Sequence, residues 1–255
     1  MLATSLLLWT ATAGAQDWSG APREPQRRST DHSIIGIGLA QVPTYQGSDS
    51  YRTLPLPAID VAVGPYYFNL RNGVGINVID LPVLTFGGGI AFMPGYRQED
   101  VPTGVNRLKA GVGARMFMNF NTGVAIVSLG GTRGLIGSTK GFIADASVAY
   151  PIIAGRRLAL IPSIGTTWAN GKHNDRYFGI DAGESAASGL REFHAGSGFK
   201  DISTMVTANY SLTGRINLTA SAGLTTLLGD VRDSPLIAHT TQPTGFLSLS
   251  YRLGR

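Results

Sequence analysis

The sequence predicts an all-β fold, a transmembrane antiparallel up-and-down β-barrel. Three observations predict it. Period-2 alternation of apolar and polar residues recurs along the chain from Ser33 to Leu253, the pattern of strands with one apolar face. The alternating segments run to about ten residues or more, the length a tilted strand needs to cross hydrocarbon, where soluble strands average about 5 to 6. Charged residues make up only 15% of the 255-residue chain against 43% hydrophobic, and glycine contributes 34 residues. A soluble all-β sandwich alternates in the same way. The small aliphatics of the apolar face and the aromatics near strand ends favour the membrane.

Composition excludes several function classes. With no cysteine, the chain has no disulfide scaffold, thiolate zinc site or cysteine nucleophile. The net charge is +5, but basic residues adjoin only at Arg27-Arg28 and Arg156-Arg157, so no nucleic-acid patch forms. A diffuse positive excess suits anionic headgroups or surface sugars better.

The first element is a targeting segment. Residues 1–15 carry an uncharged apolar run ending in Ala13-Gly14-Ala15, an A-x-A cleavage pattern that predicts a signal peptide and a mature start at Gln16. The run is too short to span a bilayer as a helix, which takes about 20 residues. Residues 16–32 form a polar tract with Pro22 and Pro25, expected on the periplasmic side, and the barrel is assigned to 33–253.

The strands follow in order at 33–42, 52–63, 66–71, 74–79, 83–95, 107–119, 122–132, 140–151, 158–169, 199–211, 215–228 and 244–253. Splitting 66–79 at Asn72-Gly73, a type I′ turn signal, keeps long and short connections alternating and makes about 12 strands. Ten is the runner-up, if 66–79 does not lie wholly in the wall. Alternation assigns faces: Ile216, Leu218, Ala220, Ala222 and Leu224 toward lipid, Asn217, Thr219, Ser221, Gly223 and Thr225 toward the lumen. Tyr66, Phe117, Phe120, Tyr150, Tyr210 and Tyr251 are expected as one aromatic belt, with Phe142, Trp168, Phe199 and Phe246 as the other. Pro55 and Pro57 share one face of their strand and remove ladder donors, so that strand should bulge or pair incompletely. Within the longest connection, 170–198, residues 181–188 suit a short helix, and the loop is long enough to fold over the barrel mouth.

Chemistry is sparse. The four histidines, His32, His173, His194 and His239, lie off the strand faces, show no metal-ligand spacing and are expected as solvated loop residues. No catalytic, cofactor or metal site is expected, and the chain does not read as an enzyme. The candidate lumen-lining polar residues are Asn69, Arg71, Lys109, Arg115, Asp145, Asp201 and Arg252, with Asn77, Asn119 and Asn217 beside them. Their excess of cations over carboxylates favours anions if a path is open. A barrel plugged by internal Arg–Asp pairs is the alternative, and both stay open here.

Three blocks carry a resemblance. The first is Val42-Pro43-Thr44-Tyr45-Gln46-Gly47-Ser48-Asp49-Ser50-Tyr51, followed by Leu54-Pro55-Leu56-Pro57. The second holds Tyr177-Phe178-Gly179-Ile180, Ala187-Ser188-Gly189-Leu190 and Gly198-Phe199-Lys200-Asp201, and the third runs from Leu228-Gly229-Asp230 to Leu236. Together they resemble the MltA-interacting protein family (MipA/OmpV), with Tyr45, Gly47, Ser48, Asp49, Tyr177, Phe178, Gly179 and Asp201 as its loop signature. The resemblance implies a barrel in the outer membrane of a Gram-negative bacterium, surrounded by its lipids. It also implies a scaffold linking a lytic transglycosylase to a bifunctional murein synthase in peptidoglycan remodelling. The alternative is a small-solute channel or a surface adhesion or stress-response barrel.

Overall fold

The computed structural model describes residues 31–253. The signal peptide and all but the last residues of the polar tract lie outside them. The strands are β1 (His32–Pro43), β2 (Tyr51–Val63), β3 (Tyr66–Asn69), β4 (Gly73–Asp80), β5 (Leu84–Met93), β6 (Gly111–Asn121), β7 (Ile126–Ile136), β8 (Phe142–Ala149), β9 (Ile152–Ala154), β10 (Leu158–Ala169), β11 (Gly198–Ser211), β12 (Ile216–Leu227) and β13 (Thr241–Leu253). Two short helices, α1 (Gly171–Phe178) and α2 (Ala182–Ser188), lie between β10 and β11.

Every pairing is antiparallel, and β1 joins β13 while β10 joins β11, so the sheet closes on itself. β8 and β9 pair with β10 in one continuous register, interrupted where Pro151 lacks a donor. Counting them as one gives the closed 12-strand barrel. A spanning sheet requires closure because hydrocarbon offers backbone groups no partner.

Strand faces follow the alternation. Leu218, Ala220, Ala222 and Leu224 point outward, whereas Thr219, Ser221 and Thr225 are buried inside. Tyr66, Phe120, Tyr150, Tyr210 and Tyr251 stand exposed at the short-turn end. Two residues leave their expected belts. Phe117 turns inward and meets Tyr67 edge-on at 5.3 Å, and Phe246 packs inside against Ala40 and Val42. Glycines opposite make this room: a Cβ on Gly75 or Gly89 would come within 2.6 or 2.8 Å of the Tyr67 hydroxyl.

Several boundaries differ from expectation, and three have a clear local cause. β7 begins four residues late (126 against 122) because Thr122–Ala125 form the turn: Thr122 Oγ1 accepts from Ala125 N at 2.9 Å, and Gly123 adopts φ +83°. The connection before β6 lengthens to 94–110, tied by a Tyr96–Leu108 bridge. The β3–β4 turn is not a two-residue type I′ turn. Leu70, Arg71 and Asn72 form it, and Gly73 follows at φ +79°, with Asn69 opposite Gly73.

Candidate functional site: the barrel interior and its dome

The β3–β4 hairpin stops partway up the wall and its turn folds into the lumen. Asn69 Oδ1 accepts from Asn72 N at 2.8 Å, which fixes the turn, and Asn72 Oδ1 in turn accepts from Arg115 Nε at 3.0 Å. Arg115, on β6, donates from Nη1 to Asp145 Oδ1 at 2.7 Å and from Nη2 to Asp145 Oδ2 at 3.1 Å, with Thr132 Oγ1 at 3.0 Å. Arg71 reaches Ser128 Oγ and Ser147 Oγ at 3.4 and 3.5 Å. The forked guanidinium thus finds carboxylate, amide and hydroxyl acceptors together, the condition under which a buried ion pair offsets its desolvation. This network is the plug.

A second charged group sits above it. The β10–β11 register shifts at Thr167/Trp168, leaving Lys200 as the extra residue, so that consecutive Lys200 and Asp201 both point inward. Lys200 Nζ lies 2.5 Å from Asp201 Oδ2 and 2.9 Å from Gln46 Oε1, and Gln46 Nε2 donates to Asp201 Oδ2 at 3.2 Å. Alternation alone identifies Asp201 and misses Lys200, since a bulge leaves no mark in the apolar pattern.

The long connections close over this group as a dome. Tyr45, Tyr96, Val105, Leu108, Tyr177, Phe178, Ile180, Val231 and Leu236 form one buried cluster. Tyr96 meets Tyr177 edge-on at 5.4 Å, and Tyr177 contacts Phe178 at 4.6 Å and Tyr45 lies 5.8 Å from Tyr96. Polar tips are satisfied by backbone from other loops. Tyr45 Oη donates to Leu236 O at 2.9 Å, Ser234 Oγ donates to Phe178 O at 2.6 Å, and Gln242 clamps Gly47 N and Ser48 O. The Tyr96 and Tyr177 phenols are pushed well above the usual tyrosine range, by burial first.

Helix α1 starts where Asn170 Oδ1 accepts from His173 N at 3.0 Å. Its N-cap carries His173 inward, stacked on Tyr177 at 5.9 Å with Nδ1 2.7 Å from Thr139 Oγ1. This corrects the expectation of a solvated histidine. Burial, then the charge of Lys200, lowers its pKa to about 3. Helix α2 forms at the expected place, with Asp181 and Glu184 in a reciprocal capping box.

The sequence candidates therefore divide. Asn69, Arg71, Arg115 and Asp145 meet in the plug, and Asp201 lies above them. Arg252 sits half-buried at the short-turn end, where its backbone N donates to Arg215 O. Lys109 is exposed in the 94–110 connection and does not reach the wall, which begins at Gly111. Of the loop signature, Tyr45, Gly47, Ser48, Tyr177 and Phe178 are buried in the dome, Gly179 ends α1, and Asp49 is exposed. The three sequence blocks thus converge on one structure. A cleft of about 110 Å³ on the dome, lined by Arg107, Asp175, Glu184 and His194, is surface-polar. Among the described residues no three His, Cys, Asp or Glu side chains group to hold a metal.

Known proteins resemble this chain at several levels. The family model described as "MltA-interacting protein MipA" matches residues 35–253. The Escherichia coli (strain K12) protein named "Putative outer membrane protein YiaT" is 30% identical over 118 residues, 46% of this chain and 47% of that protein. The MltA-interacting protein of the same strain is 29% identical over 100 residues, covering 39% of this chain and 40% of its own. The matches thus span about half the length of these relatives or less. Among solved structures, the NanC porin aligns over 87% of this chain and 100% of its own with TM-score 0.47 and 9% identity. The barrel, its dome of converging signature blocks and the family match over nearly all the described chain lead to one conclusion: this protein belongs to the MltA-interacting protein (MipA) family of outer-membrane barrels.

Proposed function

We propose that this protein is a closed outer-membrane platform that anchors peptidoglycan-remodelling enzymes, not a standing solute pore. One observation carries the reading. Asn69, Asn72, Arg115, Thr132, Ser147, Thr167, Ser203, Thr207 and Ser221 project into the lumen from strands and turn around the barrel, and each is 8% exposed or less. A water-filled channel would leave such residues wet. The small-solute channel would require both dome and plug to open.

The partners follow from the family. One relative is named MltA-interacting protein. By that likeness the platform engages a lytic transglycosylase, and with it a bifunctional murein synthase. Long loops of such barrels face outward and short turns face the periplasm, where murein enzymes work. The turns at 64–65, 122–125, 155–157 and 212–215 offer little surface. The exported chain, starting near Gln16, carries the polar tract 16–32 on the same side by its sequence reading, and that tract is the candidate contact. Immobilised full-length protein should retain a lytic transglycosylase and a murein synthase from detergent extracts. Deletion of residues 17–30 should abolish capture while the barrel stays heat-modifiable on gels. Unchanged capture by the deletion would move the contact to the turns; no capture by either protein would end the platform reading.

A further inference from the structure

The barrel wall is incomplete on one side. β2 pairs with β1 over residues 51–62 but with β3 only over 60–63. Across the gap, β5 pairs with β4 only as far as Ile90, and no described strand covers 91–93 on that side. The β3–β4 turn that would fill the space has gone into the lumen as the plug.

We propose that this slot between β2 and β5 seats an acyl chain from the surrounding leaflet. The backbone says what the edge can accept. Thr44 N donates to Ser50 O at 2.9 Å, which continues the β1–β2 register and makes the even residues of β2 those bonded to β1. Odd residues 51–59 therefore direct their N and C=O toward the slot, and two of them are Pro55 and Pro57. A partner strand laid along this edge would lack both of those donors, so strand addition is disfavoured. Hydrocarbon offers the remaining carbonyls of this edge no partner, but the two missing N–H groups lower the cost of facing it.

The side chains agree. The Pro55 and Pro57 rings face outward and are exposed. Behind them Leu54 and Leu56 pack against Ala40, Val42 and Phe246, an apolar patch on the inner side of the slot. Residues 53–59 give the slot roughly 20 Å of strand. Its upper end is tied by Arg52, whose Nη2 donates to Asp100 Oδ2 at 2.6 Å and Thr44 O at 2.9 Å. The Nε of Arg52 is buried there without a hydrogen-bond partner. The ligand class is an amphipathic molecule with an extended acyl chain.

Tryptophan quenching by brominated lipid tests this. In a background carrying Trp9→Phe, Trp18→Phe and Trp168→Phe, single tryptophans are placed by Leu56→Trp behind the slot, Leu247→Trp on the lipid face and Phe246→Trp inside a fully paired wall. Each protein is refolded into phosphatidylcholine vesicles brominated midway along the acyl chains. Leu56→Trp should be quenched at least half as strongly as Leu247→Trp and severalfold more than Phe246→Trp. Leu54→Trp, checked for heat-modifiable folding, repeats the reading if the first variant fails to fold. Quenching of Leu56→Trp and Leu54→Trp no stronger than that of Phe246→Trp would overturn the proposal. So would quenching that appears only when protein is diluted in lipid, which would give the slot to a second copy.

Discussion

The dome and the plug both close this barrel, but they are built from opposite materials. The dome is an apolar, aromatic cluster assembled from four connections, with Phe178 and Ile180 almost fully buried at its centre. The plug is a hydrogen-bonded ionic network on strand walls, centred on Arg115 and Asp145. Apolar packing among loops is a local unit that can open without tearing the sheet. A charge network spanning β6, β7, β8 and the β3–β4 turn is bound to the barrel itself. Closure at the rim and closure at mid-height are therefore separable.

The largest expected effect tests the plug. Asp145→Ala leaves the Arg115 guanidinium buried without its carboxylate, which costs about 3–5 kcal/mol. The denaturant midpoint of protein folded in lipid should fall accordingly. Arg115→Met combined with Asp145→Leu should recover most of the loss, because no buried charge then stands alone. A double variant as unstable as the single one would show that packing, not charge, holds the plug.

The dome should respond differently. Phe178→Ala removes a buried ring that is worth about 3–5 kcal/mol where it packs. That loss should fall on the dome. Limited proteolysis should cut within 170–197 much faster, while the midpoint of the barrel moves by less than about 1 kcal/mol. Equal losses in both readouts would mean that dome and barrel unfold as one.

Much of the barrel was legible in the sequence, and little of its closure was. Faces of β11, β12 and β13 follow from alternation because lipid and lumen impose period 2 on every wall residue. Pro55 and Pro57 announced a strand with incomplete pairing, and the unpaired edge of β2 is that strand. Asp145 and Arg115 were visible as inward charges, but their pairing depends on three-strand neighbours that a local pattern does not encode. The inturned turn at Arg71 and Asn72 reads locally as an ordinary hairpin because the contact that holds it inside, Arg115 Nε to Asn72 Oδ1, comes from 43 residues away. Helix α1 escaped notice since its short amphipathic run Gly171–Phe178 is stabilised by the dome and by Asn170, not by propensity. His173 was misplaced for the same reason.

A smaller effect concerns pH. The folded dome holds His173 neutral with a pKa of about 3, below the roughly 6.5 of an unfolded chain. Below pH 6.5 the unfolded state takes up a proton that the folded dome refuses. This contribution to dome stability is thus complete above pH 6.5 and is lost progressively as pH falls toward 3. Protease sensitivity of the 170–197 connection should rise between pH 7.5 and pH 5, and His173→Gln should flatten that rise. An unchanged slope in the variant would assign the pH response to other groups.

Conductance tests the central claim most directly. Refolded protein inserted singly into planar bilayers should show no steady ohmic current, since both levels are shut. Phe178→Ala should stay silent as well, because the Arg115–Asp145 plug persists beneath an opened dome. A stable open level in the unaltered protein would contradict the closed platform and return the barrel to the class of solute channels.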